Sequence, residues 1–365
     1  MIVIIFFLKP IPSYYTIGTG ALSQRLADAV TASENFIHYK NPYQRVTVTG
    51  SDSNDLTPIT ISGIDSPYAF ATFLAGSPDG AGKEQNEDKE DHYFNAVRLL
   101  TYQLLHAKAT RNRDLSIPFI VLVTELVPQW QQDRMRQDGA VVIQVPDLSA
   151  DWVKADSPAW DHVMTKLRLW QLTQFERICF LDADNILLAP LDGVFSDPAL
   201  VERLTSSNID GIKEDEAALP PYYVFASLPE MMHEHGYPPT DDHHDFPNSN
   251  YLNVGFFAFK PCLQTLQYYA SVLSLEQRFH PSLPEQNLIN YAHRRDGNMP
   301  WSQLDVAWNI HYPVIGDIEG GVKSIHEKYW EDHGEEVNRI MKRWRWQMEG
   351  FYEARDQLKV QARHP

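Results

Sequence analysis

The order of apolar segments predicts an α/β fold: a mostly parallel central sheet flanked by helices, of the Rossmann-like kind. Two observations carry this. Apolar runs of strand length at Tyr68–Leu74, 118–123, 140–145 and 178–181 alternate with longer stretches of helical periodicity. Strands separated by helices join in parallel through right-handed crossovers. The chain is also long enough, at 365 residues with 43% hydrophobic content, for one large α/β domain or two smaller ones.

Residues 1–65 show weak periodicity and many Ser, Thr, Asn and Pro, and are expected to form a stem-like or peripheral segment. The run from Met1 to Leu8 is too short to span a bilayer and lacks a positive leader. It reads as an ordinary strand or, the preferred reading, as the trailing end of a membrane anchor. An anchor would put the chain in the Golgi lumen in type II orientation; without one the cytoplasm is the alternative. No Asn-x-Ser/Thr sequon supports a luminal location.

A catalytic domain is expected over 66–330. Tyr68–Leu74 reads as its first buried strand, and 76–91 as a polar, acidic loop long enough to be functional. A helix is expected over 93–108, with Val97, Leu100, Leu104 and Leu105 on one face. Strand 118–123, helix 129–137 closed by Asp138-Gly139, and strand 140–145 follow. Residues 160–173 read as an amphipathic, positively charged helix, with Arg168 on a solvated face. Strand 178–181 comes next. Residues 206–250 look irregular and proline-rich, and their cluster Asp241-Asp242-His243-His244-Asp245 reads as a solvated loop. A strand over 251–259, a helix over 263–275 and a helix opening at Pro284 complete the domain. Residues 331–365 form a charged, tryptophan-bearing helical extension.

The net charge of −17 argues against nucleic acid as a partner, since no basic stripe offsets it. An acidic protein that binds an anionic nucleotide must supply positive charge locally, through a metal and a few lysines. Cys179 and Cys262 make no disulfide framework and no zinc pattern, and read as buried free thiols. Gly18 and Gly20 lack the third glycine of a dinucleotide fingerprint.

The chemistry concentrates at Asp182-Ala183-Asp184. Side chains alternate along a strand, so the two carboxylates project together where 178–181 stops. Ligands of open α/β sheets sit at that carboxyl end. A hard divalent cation needs such oxygen ligands and can also grip a diphosphate. Alone the tripeptide is weak, because turn chemistry or a helix cap explains it as well. Between a charged helix, a wholly apolar strand and the following run 185–195, it points to an enzyme that handles a nucleotide-sugar.

With the block 166–195, Asn253-Val-Gly255, Glu285-Gln286 and His326 laid out, the chain resembles glycosyltransferase family 8, that of glycogenin and related fungal sugar transferases. The resemblance covers roughly residues 67–330. It implies a nucleotide-diphospho-sugar transferase (GT-A) fold. It also implies a retaining enzyme that moves a hexose or N-acetylhexosamine from a UDP-sugar to a glycan or protein-linked acceptor. By the same resemblance, Asp182, Asp184 and His326 hold Mn²⁺, with Mg²⁺ as the alternative. Lys166 and Ala183 lie near the donor, and Phe73 and Tyr93 lie around the uracil. Asn253 and Gly255 belong to the sugar-binding strand, Glu285 and Gln286 to the sugar, and Lys328 to the phosphate. Three departures stand out. The family's Asp-Gln pair is Glu285-Gln286, the acidic residue three before its Asn-x-Gly is Asn250, and its histidine motif is compressed to His326-Glu-Lys328-Tyr-Trp330. A catalytically silent UDP-sugar binder or scaffold, a self-glucosylating primer and a metal-dependent phosphohydrolase are the competing readings. Donor sugar, acceptor, linkage and oligomeric state are not legible in the chain.

Overall fold

The computed structural model describes residues 46–52, 55–76, 91–157, 160–208 and 213–363. The expectations for the apolar run at 1–8, for Gly18 and Gly20, for the first 45 residues of the stem and for most of the 76–91 loop lie outside these residues. The body is Asn41–Tyr352; the end of the last helix, from Glu353, belongs to a separate small unit.

In chain order the body carries β1 (Thr47–Thr49), β2 (Thr60–Ser62), β3 (Tyr68–Leu74), α1 (His92–Leu105), β4 (Phe119–Val123), α2 (Gln129–Asp138) and β5 (Val141–Gln144). Next come β6 (Arg177–Leu181), β7 (Asn185–Leu187), β8 (Arg203–Leu204), β9 (Tyr222–Tyr223), β10 (Phe225–Pro229) and β11 (Leu252–Phe259). The order ends with α3 (Leu263–Leu273), α4 (Pro284–Ala292), β12 (Ser302–Gln303), β13 (Ile310–His311), α5 (Ile315–Gly320), β14 (Ser324–His326) and α6 (Glu335–Arg363). Among the described residues no helix is long and apolar enough to cross a membrane.

The main sheet has seven strands in the order β12-β10-β11-β6-β3-β4-β5. β3, β4, β5 and β6 pair in parallel, while β11 runs antiparallel to both β6 and β10. The fold is therefore α/β around a mostly parallel sheet. Strands buried on both faces read as continuous apolar runs, and all five residues of β4 are buried. Apolar side chains pack on both faces. Phe70, Val121, α1 and the body's part of α6 (Met341, Trp344, Met348) lie in one core. Ala71, Ile120, Leu122, α3 and α4 lie in the other. Each fully buried Leu, Ile or Phe contributes roughly 1.5–3 kcal/mol.

Local chemistry sets the element ends. Asp91 caps α1, its carboxylate accepting from Phe94 N at 3.0 Å. Gly139 closes α2 at φ 119°, a left-handed conformation that favours glycine. Cys179 is a buried thiol within β6, while Cys262 is half-buried.

Three features differ from the sequence reading. Residues 163–171 form a 3-10 helix rather than an amphipathic α-helix, and every one of them is buried. Trp170 there stacks on Phe259 at 3.9 Å, so the segment is enclosed by protein on all sides and has no solvent face. Arg168, expected in solvent, is buried at 2% exposure, its guanidinium donating to Gln171 Oε1 at 3.1 Å. The stretch 206–250 contains β10, a fully buried strand of the main sheet. Its Phe-Ala-Ser-Leu-Pro sequence has no β-branched residue, and prolines surround it. In the segment before β3, Ile59 and Ile61 are buried. Gln174 holds Ile61 by two backbone bonds of 2.7 and 3.0 Å.

Candidate metal and nucleotide-sugar site

β4 and β5 extend the sheet on one side of β3, and β6 returns to the other side. Such a switch in strand order opens a crevice at the carboxyl ends of the strands. β6 ends there at Leu181, and the two aspartates follow. The antiparallel β11 brings its own start to the same edge, with Phe256 opposite Leu181.

Ligand atoms of Asp182, Asp184 and His326 lie within 4.8 Å of one another, the one such group of three found among the described residues. His326 Nε2 is 3.1 Å from Asp184 Oδ1 and 3.9 Å from Asp182 Oδ2. Strand pairing delivers the histidine across 142 residues: β14 runs antiparallel to β7, and His326 lies opposite Asn185. The turn is held from beneath. Asn185 Nδ2 donates to the carbonyls of Asp182 and Gly255, each at 3.0 Å. Asn309 Nδ2 donates to Asn185 Oδ1 at 2.6 Å and to Ser324 Oγ at 2.8 Å. Gly255 is where the backbone must be bare, because a Cβ there would come within 2.0 Å of His326 Cε1 and 2.4 Å of its Nδ1.

The electrostatics are those of a cation site. Burial pushes the Asp184 carboxyl up, but His326 and Lys328 outweigh it and hold it at about 2. Burial and the neighbouring Asp184 raise the Asp182 carboxyl against the pull of Lys166 and His326. Burial lowers the His326 imidazole, yet Asp184 and Asp182 hold it at about 9. Two carboxylate oxygens and one imidazole nitrogen form a donor set that fits a divalent cation such as Mn²⁺. His326 Nδ1 is buried without a hydrogen-bond partner.

Lys166 reaches the same place from the 3-10 helix. Its Nζ is 2.7 Å from Asp182 Oδ1 and 2.9 Å from Glu285 Oε1. Burial lowers its pKa, but those two carboxylates prevail and raise it. Glu285 and Gln286 sit in the first turn of α4. Gln286 Oε1 accepts from Val254 N, and its Nε2 donates to Glu230 Oε2 and to Tyr251 Oη, each at 3.2 Å. Asn253 Nδ2 donates to the same Glu230 oxygen at 3.0 Å, and its Oδ1 accepts from Gly255 N at 2.7 Å.

The remaining expected residues are placed as follows. Phe73 is buried near the end of β3, and Ala183 is buried between the aspartates. Tyr93 on α1 is 38% exposed. Burial and the charges of Asp184 and Asp182 raise its phenol. Trp330 lies edge-on to Tyr93 at 5.1 Å. Lys328 is close enough to lower the Asp184 carboxyl, and its Nζ lies 3.7 Å from Glu331. Asn250 is exposed. The Asp241–His243 turn is exposed, while Asp245 is buried and accepts from the backbone of Gly236 and Thr240.

Two residues of the site escaped the sequence reading. Glu230 follows β10, and its Oε1 is 2.7 Å from His311 Nδ1 on β13. Burial raises the Glu230 carboxyl, but the bonds from His311, Asn253 and Gln286 prevail and hold it at about 2. A lone Glu directly after the five-residue apolar run 225–229 was the available signal.

No family model matches the chain. Curated relatives do. An uncharacterized protein of Schizosaccharomyces pombe is 25% identical over 271 residues, spanning 66% of this chain and 70% of its own length. Galactinol synthase 7 of Arabidopsis thaliana is 25% identical over 293 residues, spanning 74% of this chain and 76% of its own length. The chain is thus similar to plant galactinol synthases, at 25% identity over about three quarters of its length. Its sheet, mostly parallel and with Asp-x-Asp at the end of β6, has the α/β architecture that the sequence predicts. Among solved structures, the galactosyltransferase LgtC in complex with donor and acceptor sugar analogs is 10% identical, with a TM-score of 0.45 over 76% of this chain and 95% of that one. Mouse xyloside xylosyltransferase 1 is 13% identical, with a TM-score of 0.39 over 71% of this chain and 97% of that one.

Proposed function

We propose that the chain is a metal-dependent, retaining glycosyltransferase that moves a hexose or N-acetylhexosamine from a UDP-sugar to a glycan or protein-linked acceptor. The observation that carries the reading is the convergence of Asp182, Asp184 and His326 within 4.8 Å at the sheet's switch point. Lys166 joins that group by pairing with Asp182 and Glu285, and Asn253 and Gln286 both donate to Glu230.

When bound, Mn²⁺ supplies Lewis-acid stabilisation of the diphosphate leaving group. The chain's residues do the rest. Asp182, Asp184 and His326 hold the cation. Lys166 adds a buried positive charge, worth roughly a few kcal/mol in a water-excluded site. Lys328 would contact the diphosphate. Tyr93 and Phe73 border the uracil end. Asn253 and Gln286 orient the sugar, and Glu285 keeps Lys166 in position.

The test is UDP release from UDP-glucose, UDP-galactose and UDP-N-acetylglucosamine, each with and without Mn²⁺. The plant relatives are named for galactinol, which supports including the galactosyl donor. Mn²⁺-dependent release from at least one donor is the expected result. Binding of UDP without release from any donor would mean a silent binder. Turnover of UDP itself would mean a phosphohydrolase.

A further inference from the structure

Glu230 is surrounded by donors. Oε2 takes the carboxamides of Asn253 and Gln286 at 3.0 and 3.2 Å, and Oε1 takes Met231 N at 3.3 Å and faces His311 Nδ1 at 2.7 Å. A carboxylate only accepts. It therefore turns both amide groups toward itself, and it requires the proton of His311 to sit on Nδ1. The His311 ring is held in turn from both sides. It stacks on His326 at 4.8 Å and on Tyr312 at 3.7 Å, and the Tyr312 ring lies tilted against His233 at 3.7 Å. Tyr312 has φ 56°, a left-handed conformation costly for an aromatic residue and kept only where packing demands it.

We propose that His311 is a positioning residue for the sugar end of the site: through Nδ1 it locks Glu230, and Glu230 fixes the carboxamides of Asn253 and Gln286. This rests on reading the Asn253–Gln286 side as the donor-sugar end. The alternative role for His311, support of the metal through its stack on His326, predicts a different pattern and so can be told apart.

The experiment compares wild type with His311→Asn, His311→Gln and His311→Phe, each checked for folding by its thermal transition. Binding of UDP and of the best-bound UDP-sugar is measured in Mn²⁺. An Asn amide N–H can stand where Nδ1–H stands, whereas a Gln amide reaches the position of Nε2. The expected pattern is UDP-sugar affinity close to wild type for His311→Asn. It should fall roughly tenfold or more for His311→Gln and His311→Phe, with UDP affinity within about twofold throughout. Equal losses for UDP and UDP-sugar would assign His311 to the metal and overturn the proposal, as would rescue by Gln instead of Asn, or no change. A second readout needs no nucleotide: ¹⁵N spectra of the metal-free protein should show a proton on His311 Nδ1, with its signal altered in Glu230→Gln. An unprotonated Nδ1 overturns the proposal. If wild type binds UDP-sugar no better than UDP, the sugar-end reading fails, and the spectra alone decide whether His311 locks Glu230.

Discussion

Replacing Gly255 by alanine tests the metal site from its floor. The added Cβ would meet His326 Cε1 at 2.0 Å, Nδ1 at 2.4 Å and Asn253 Oδ1 at 2.9 Å. Non-bonded carbons settle at about 3.5–4.0 Å, so the imidazole must retreat by roughly 1.5 Å. It cannot do so while Nε2 keeps its 3.1 Å approach to Asp184. A displacement of about 1 Å costs on the order of 100-fold in rate. Overpacking costs about 1–3 kcal/mol, and for a body of about 300 residues that lowers Tm by roughly 2–5 °C. The assay is a Mn²⁺ titration of UDP release alongside a thermal melt, with His326→Ala as the comparator. Gly255→Ala should raise the half-saturating Mn²⁺ concentration as His326→Ala does, by at least about tenfold, while also losing melting temperature. If Mn²⁺ half-saturation and Tm both stay at wild-type values, His326 does not occupy the space above Gly255, and the metal site is wrongly built.

Three further outcomes are expected. The double variant Asp182→Asn/Asp184→Asn should remain folded and lose Mn²⁺-dependent UDP binding; unchanged affinity by calorimetry would remove the central assignment. Gln286→Ala should lower kcat with little change in donor KM if its amide acts on the transition state, and raise KM if it only seats the sugar. Steady-state kinetics over a range of donor concentrations separates the two, and no change in either constant would reduce the Glu285-Gln286 pair to a helix start. Glu230 gives a pH signature. Its carboxyl is held at about 2 against an ordinary 4.5, so it stabilises the fold above about pH 4.5, and that contribution is lost as pH falls toward 2. Wild type should therefore lose a few kcal/mol more than Glu230→Gln between pH 5 and 2 in denaturant melts. Parallel curves would mean that Glu230 is not held by its neighbours.

What could be read in the sequence was local. β6 and the aspartates it ends on lie within a few residues of each other, and an apolar run followed by Asp-x-Asp announces both strand and site. Asn253 and Gly255 were legible for the same reason, lying near the start of the eight-residue apolar strand Leu252–Phe259. Glu230 and His311 were not, because they meet only after β10 has paired with β11 and β13 with β14. Neither short strand has a periodicity long enough to register. The 3-10 helix misled for another reason. Lys166 and Arg168 look like a solvent face, and nothing near them in the chain shows that Lys166 ends between the carboxylates of Asp182 and Glu285.

The way His326 is delivered has a consequence for how this chain can vary. β14 has three residues and is secured to β7 by the pairings Ser324–Leu187, Ile325–Ile186 and His326–Asn185. Neighbouring residues of a strand face opposite ways, so a slip of one position would turn Ile325 toward the aspartates and bury the imidazole among aliphatic side chains. A single-residue deletion between Gly321 and Ser324 would thus abolish cation binding without touching any ligand. Longer insertions in the loops between β7 and β14, away from β10, β11, α4 and β13, would leave it unharmed. Tolerance of length is therefore very uneven along this protein, and it is narrowest in the few residues that lead into β14.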